Sequence, residues 1–339
     1  MRPTIHFGGL TAVLRAAKPL LVLLAAPQVA HAEWYRREES IMTTRIYVEL
    51  WLDDATAGER AIDAVMKSMH EVDDLMSTYK PDSQISRVNA RAAIEPVAVD
   101  QELFDVIRAA LEFSRITHGA FDISYASVGY LYDFRQHKRP TEKQIKAALP
   151  AVNWRHITLD AAKRTVKFER PGMRIDLGGI AKGYSVDRAI RILQSLGVKN
   201  AEVTAGGDSR MLGDHRGRPW IVAIRHPDDP NKVVTRLPLE DTAMSTSGDY
   251  ERYYDEKGVR YHHIIDPHTG HSARRVRSAT IIAPTALQTD GLSKTAFVIG
   301  AEAALQIING LPGVDAIFVK PDGRVLYSNG LQPGDKLKP

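Results

Sequence analysis

The chain has 339 residues, 44% of them hydrophobic and 25% charged, which is ample for a large core in one domain or two smaller ones. It has no cysteine, which excludes a disulfide scaffold, a zinc–thiolate site, thiolate catalysis and lipidation at a cysteine. The net charge of +4 comes with no arginine-rich tract interleaved with aromatics, so nothing in the pattern points to nucleic acid.

The first residues differ in kind from the rest. Arg2, Arg15 and Lys18 accompany a short apolar run over 20–26, and Ala30-His31-Ala32 supplies small residues where a signal peptidase reads. The run is shorter than the roughly 18 residues of a membrane span. Residues 1–32 are therefore expected to be a cleaved secretory signal peptide. Residues 33–339 are expected to form one exported, periplasmic unit that is soluble after cleavage. The leader carries three basic residues and no acid, leaving 42 basic against 41 acidic residues, so the pI near 9.1 says little about partners.

After a polar lead-in, alternation over 46–52 predicts a strand. Ile62, Val65, Met66, Met69, Val72 and Met76 then share one face of an amphipathic helix. Pro81 and its polar neighbours mark a loop over 76–83. A second helix is predicted over 101–116, with Phe104, Ile107 and Leu111 inward, followed by an irregular aromatic-rich segment to Phe134. A hairpin follows, pairing 157–159 with 166–168, and then a strand over 201–204. Further strands are expected at 220–224, 262–265 and 278–282, helices at 287–299 and 301–309, and a hairpin pairing 316–319 with 325–327. Hairpins alternate with helical crossovers, so the predicted class is α+β, a compact unit with mixed, largely antiparallel sheets and flanking helices.

The run Asp176-Leu177-Gly178-Gly179-Ile180-Ala181-Lys182-Gly183 sets an acid, a glycine pair and a lysine where an extended segment turns into a helix. Val186, Ala189, Ile190, Leu193 and Leu196 continue that helix, and Gly197 stops it. Such a turn either packs tightly or presents backbone N–H groups to an anion. His262 and His263 are adjacent, so on a strand they point to opposite faces and at most one faces a site. Asp266-Pro267-His268-Thr269-Gly270 reads as a turn. Asp290, beside Thr289 and Gly291, reads either as a helix cap or as a ligand for a hard cation such as Mg²⁺.

Residues 76–89, 119–122, 176–183, 205–208, 245–250 and 263–270, six segments in order over nearly the whole mature chain, resemble the ApbE family, the FAD:protein FMN transferases. The first is Met76-Ser77-Thr78-Tyr79-Lys80-Pro81-Asp82-Ser83-Gln84-Ile85-Ser86-Arg87-Val88-Asn89, similar to the family's M-S-x-Y-x-P-x-S-x-I-S-x-x-N. Gly119-Ala120-Phe121-Asp122, the glycine turn, Ala205-Gly206-Gly207-Asp208, Ser245-Thr246-Ser247-Gly248-Asp249-Tyr250 and residues 263–270 follow. The resemblance implies a two-lobed, T-fold-like domain. It also implies a Mg²⁺-dependent phosphotransferase reaction that splits FAD, links FMN through its phosphate to a threonine of an acceptor flavoprotein, and releases AMP. A FAD pyrophosphatase, with water as the nucleophile, and a non-catalytic periplasmic FAD-binding protein are the alternatives.

Carried over position by position, the resemblance gives FAD contacts to Met42, Tyr79, Ala120, Phe121, Asp122, Asp176, Lys182 and Ile264. It gives the metal to the Gly179 carbonyl and the Asp290 carboxylate, and catalysis to Asp290 and to His263 as proton acceptor. Two departures stand out. Lys294 takes the place of a threonine that helps to bind metal, so that Ser293, Thr295 or water supplies the oxygen instead, or metal binding is weaker than usual. The segment after Asp122 reads Ile-Ser-Tyr-Ala-Ser-Val-Gly-Tyr-Leu where many members have Thr-Val-Gly-Pro-Leu.

Overall fold

The computed structural model describes residues 33–229 and 231–331. The leader expected at 1–32 lies outside the described residues. Among the described residues no helix is long and apolar enough to cross a membrane.

An eight-stranded sheet organises the chain. Its strands lie in the order Glu33–Ile41, Thr44–Leu52, Ala201–Ala205, Asp208–Leu212, Ala243–Gly248, Ser278–Ala283, Asp315–Val319 and Val325–Tyr327. Each neighbouring pair is antiparallel. Strand residues alternate between two faces, so each face carries its own apolar set. On one face, Ile46, Val48 and Leu50 meet Ile62 and Val65 of the helix Ala55–Met76 and Ile190 of the helix Ala181–Ser195. Further along, Phe318 and Ile281 join a larger cluster built on the helices Gln101–Ile116 and Ala301–Ile308 and on a small three-stranded sheet. On the opposite face, Met211, Met244, Ile282 and Ile317 are covered by the hairpin of Trp220–Arg225 and Val233–Leu239.

The class is α+β, as the sequence predicts. The two apolar clusters meet at the glycine turn, since Ile180 and Ala181 pack in the larger one and Val186, Ala189 and Leu193 in the other. That seam positions the candidate site.

The structure also departs from the sequence reading. The polar lead-in is the strand Glu33–Ile41, which buries only Tyr35 and Ile41 and so shows little alternation. Residues 243–248, where the sequence predicts no strand, form a central strand of small residues. The predicted strand 262–265 ends at His262, because Val259–His262 pairs with Tyr253–Glu256 while Ile265 only bridges to Ser272. The predicted helix 287–299 is two helices, Ala286–Leu292 and Thr295–Ile299, separated by Ser293 and Lys294. Asp290 is therefore no cap. Thr285 caps that helix, its hydroxyl accepting the Gln288 N–H at 3.3 Å, and Asp290 lies inside it, fully buried. Leu111 is only partly buried, whereas Leu103, Val106, Ala110 and Phe113 face inward.

Candidate functional site

Two helices set the geometry. Gly183, one turn into Ala181–Ser195, permits close approach to Ala286–Leu292, because a Cβ there would lie 2.1 Å from the Ala286 carbonyl oxygen. Asp187, one turn later, accepts the Ala286 and Leu287 N–H groups, both at 2.9 Å. It thus satisfies two of the four free donors at that helix start, on the end where a carboxylate is favoured. Arg210 holds Asp187 from the other side at 2.6 Å. Together these contacts fix Asp290 opposite the glycine turn.

Asp290 and a second buried acid, Asp208, face two lysines. Lys182 pairs with Asp208 and lies 3.5 Å from Asp290 Oδ2, which also accepts the Gly183 N–H at 3.1 Å. Lys294 pairs with Asp290 Oδ1, and its Nζ donates to the Asp290 carbonyl at 2.9 Å and the Gly179 carbonyl at 3.3 Å. Asp208 opens a strand after the Gly206-Gly207 turn and stands across from Ser245, whose hydroxyl donates to Asp208 Oδ1 at 2.6 Å. Ser247 lies two residues on, on the same strand face, 2.9 Å from the Ser293 hydroxyl. Both acids are almost wholly buried, while Lys182 and Lys294 keep 24% and 18% of their side-chain surface exposed. The two lysines are therefore the less buried members of the quartet.

The protonation states follow from these neighbours. Burial would lower the Lys182 ammonium, but Asp208 and Asp290 overcome it and hold its pKa above the ordinary lysine value. Burial would raise Asp290, yet Lys182, Lys294 and the Gly183 N–H keep its pKa below the ordinary carboxylate value. Burial and the neighbouring charge of Asp290 raise Asp208 despite the lysines. Two ammoniums against two carboxylates leave the quartet close to neutral.

Around it stand the remaining residues that the sequence singles out. Asp176 Oδ1 accepts the Gly178 N–H at 2.7 Å, and Oδ2 accepts the Thr78 hydroxyl at 2.9 Å, which ties the 76–83 loop to the glycine turn. Tyr79, next in that loop, is 81% exposed, so nothing in the fold explains its aromatic ring. Phe121 lies against Gly179, and Ala120, Phe121 and Ile264 belong to the larger apolar cluster. Met42 and Thr43 form the turn between the first two strands with φ of 52° and 57°, a region that disfavours side chains such as these.

Asp122 is engaged within its own loop. Oδ1 accepts the Ser124 N–H at 2.8 Å and the Ser124 hydroxyl at 2.6 Å, and Oδ2 accepts the Trp154 N–H at 2.9 Å.

The two histidines do different things. The His262 ring is buried between backbone groups, with Nε2 2.6 Å from the Ala273 carbonyl and Nδ1 3.4 Å from the Ile264 N–H. That pattern assigns the neutral Nε2–H tautomer. Burial lowers its pKa to about 4. His263 is part-buried, and its enclosed Nδ1 has no hydrogen-bond partner among the described residues. Burial first, then Arg252, His262, Lys294 and Lys182, lower its pKa to about 3. A neutral ring with a free nitrogen is what a proton acceptor needs.

These residues do not form a Mg²⁺ site as they stand. Among the described residues no group of three or more His, Asp or Glu side chains converges as metal ligands. Both Asp290 carboxylate oxygens and the Gly179 carbonyl already accept N–H donors, and an ammonium offers no lone pair. Ser293 donates to the Asp290 carbonyl at 2.9 Å, while the buried Thr295 hydroxyl has no partner among the described residues. Sequence reasoning left Asp208 without a role, although it closes the Ala205-Gly206-Gly207-Asp208 motif; only the sheet register brings it to Lys182 and Ser245.

The model of the ApbE family matches residues 42–318. A Treponema pallidum protein named FAD:protein FMN transferase is 33% identical over 321 residues, 89% of this chain and 89% of its own length. The Vibrio cholerae protein of that name is 36% identical over 261 residues, 75% of this chain and 78% of its own. Among solved structures, the ApbE protein from Thermotoga maritima superposes with a TM-score of 0.81 at 32% identity, covering 88% of this chain and 97% of its own. The flavin transferase ApbE from Vibrio cholerae gives 0.79 at 30% identity, covering 88% and 98%.

Proposed function

The chain belongs to the ApbE family, and on that premise we propose that residues 33–339 transfer FMN from FAD to a threonine of a target flavoprotein. In this reaction the threonine oxygen attacks the phosphorus of the FMN half. The P–O bond to the bridging oxygen breaks, its electron pair leaves with AMP, and the hydroxyl proton passes to His263 Nδ1. Products and reactants balance without an oxidant or reductant.

The observation that carries this reading is the Lys182–Asp208–Asp290–Lys294 quartet beside the glycine turn, with its lysines partly exposed and its acids buried. Phosphoryl transfer needs positioned positive charge more than covalent chemistry. Lys182 and Lys294 supply that charge to the diphosphate. Tyr79 and Met42 offer aromatic and apolar surface to the flavin ring, Phe121, Ala120 and Ile264 lie buried in the larger apolar cluster, and Asp176 with Asp122 fixes the loops that carry these residues. Mg²⁺ is the cation the family resemblance implies. Because Lys294 fills the oxygens it would use, no step here is assigned to it. Export of the protein rests on the leader at 1–32.

The test is intact mass spectrometry of a candidate acceptor flavoprotein incubated with the enzyme and FAD, with AMP measured in parallel. A covalent FMN adduct with equimolar AMP is expected. FMN and AMP released together without an adduct would assign hydrolysis instead.

A further inference from the structure

Lys294 stands where the family resemblance calls for a metal ion. Its Nζ meets three oxygens: the Gly179 carbonyl at 3.3 Å, the Asp290 carbonyl at 2.9 Å and Asp290 Oδ1. Three donors on one ammonium match three acceptors. The other Asp290 oxygen is held by the Gly183 N–H and Lys182. A Mg²⁺ ion on the same oxygens would need contacts of about 2.0–2.1 Å in near-octahedral geometry, and it would sit against two ammoniums.

The backbone makes this position specific. Lys294 lies in the break between Ala286–Leu292 and Thr295–Ile299, four residues after Asp290, so its side chain folds back over the end of the first helix. Gly179 lies under it, since a Cβ on Gly179 would come within 3.7 Å of Lys294 Cε.

Charge gives the same answer. With Lys294 present, two lysines balance Asp208 and Asp290. Without it, Lys182 alone would face two buried carboxylates, and the pocket would repel a diphosphate unless another cation entered.

We propose that Lys294 is a built-in replacement for the divalent metal, so that this chain handles its diphosphate substrate without Mg²⁺. The inference deepens the flavin-transfer reading and rests on it for the identity of the substrate. It does not rest on it for the metal site, which can be measured on the protein alone.

Two measurements decide it. The first is titration of the protein with Mn²⁺, following free Mn²⁺ by electron paramagnetic resonance. The wild-type chain is expected to show no stoichiometric site. Lys294→Thr should gain one site that Mg²⁺ competes for and that a second change, Asp290→Asn, removes. If Lys294→Thr fails to fold by circular dichroism, Lys294→Gln, one atom shorter than lysine and uncharged, tests the same loss of charge. A wild-type site of one Mn²⁺, abolished by Asp290→Asn, overturns the proposal.

The second is AMP release from FAD with EDTA or with added Mg²⁺. The wild-type rate should differ less than twofold between them, whereas Lys294→Thr should be at least tenfold faster with Mg²⁺. A wild-type enzyme that needs Mg²⁺ overturns the inference and leaves the transfer reading standing. No AMP under either condition counts against the transfer reading, and the Mn²⁺ titration still decides the metal question.

Discussion

At the scale of single residues, the site depends on a balance among four charges. Removing one member of a buried ion network leaves its partners uncompensated, which costs more than the contact itself was worth. Lys182→Met should therefore leave Asp208 and Asp290 facing each other and push the already raised Asp208 pKa higher still. It also removes a cation from the phosphates. AMP release from FAD should fall by about 100-fold or more, the scale of losing one preorganised charge. Rates within threefold of wild type would remove Lys182 from the reaction. His263 presents a different case, because its free Nδ1 is held neutral by burial and by nearby cations. An incoming diphosphate offsets those cations and makes the ring a stronger base. His263→Ala should slow FMN transfer by about 100-fold, the lower range for general-base catalysis, with FAD affinity nearly unchanged. Since the His263 pKa in the unliganded chain lies at about 3, kcat/KM, which reports the free enzyme, should show no step near pH 6.5. A titration midpoint there would place the base elsewhere.

At the scale of elements, the decisive contact is between the helices Ala181–Ser195 and Ala286–Leu292. Gly183 sets how closely they approach, and Asp187 sets where the second helix begins. Gly183→Ala forces a Cβ against the Ala286 carbonyl, an overpacking that costs about 1–3 kcal/mol and shifts Asp290 relative to Lys182. The expected result is a lower urea midpoint together with a reduced kcat. An unchanged midpoint would mean that the helices can separate freely. The same pair explains what the sequence discloses. Helix Gln101–Ile116 and the hairpin of Ile157–Asp160 with Thr165–Phe168 are legible because their apolar residues repeat locally. Asp176, Lys182 and Asp290 are legible by residue type beside glycines. The strand Ala243–Gly248 is not, because alanine, serine and threonine carry little pattern and its burial comes from neighbours on both sides. Nor can sequence alone pair Asp208 with Lys182 or Lys294 with Gly179, since sheet register and helix docking bring those residues together across long stretches of chain.

At the scale of the whole molecule, one buried and one part-buried neutral histidine make stability depend on pH. An unfolded histidine titrates near pH 6.5, whereas His262 and His263 in the fold titrate at about 4 and about 3. Below pH 6.5 the unfolded chain takes up protons that the folded chain refuses. The contribution of these rings is thus fully present above pH 6.5 and is lost as the pH falls towards their folded values. Asp208, Asp122 and Asp249 act in the opposite sense, because burial raises each of them and the folded chain binds their protons more readily. A raw acid-denaturation curve mixes the two effects, so the informative quantity is a difference between variants. His262→Gln can still donate to the Ala273 carbonyl and accept from the Ile264 N–H while losing the titration. Between pH 6.5 and 4.5 the wild-type chain should lose stability faster than this variant, by on the order of 1 kcal/mol per pH unit. Because His262 faces backbone and not the lysines, FMN transfer at neutral pH should persist in the variant. Parallel stability curves would mean that the His262 ring can reach solvent and take a proton without unfolding the chain.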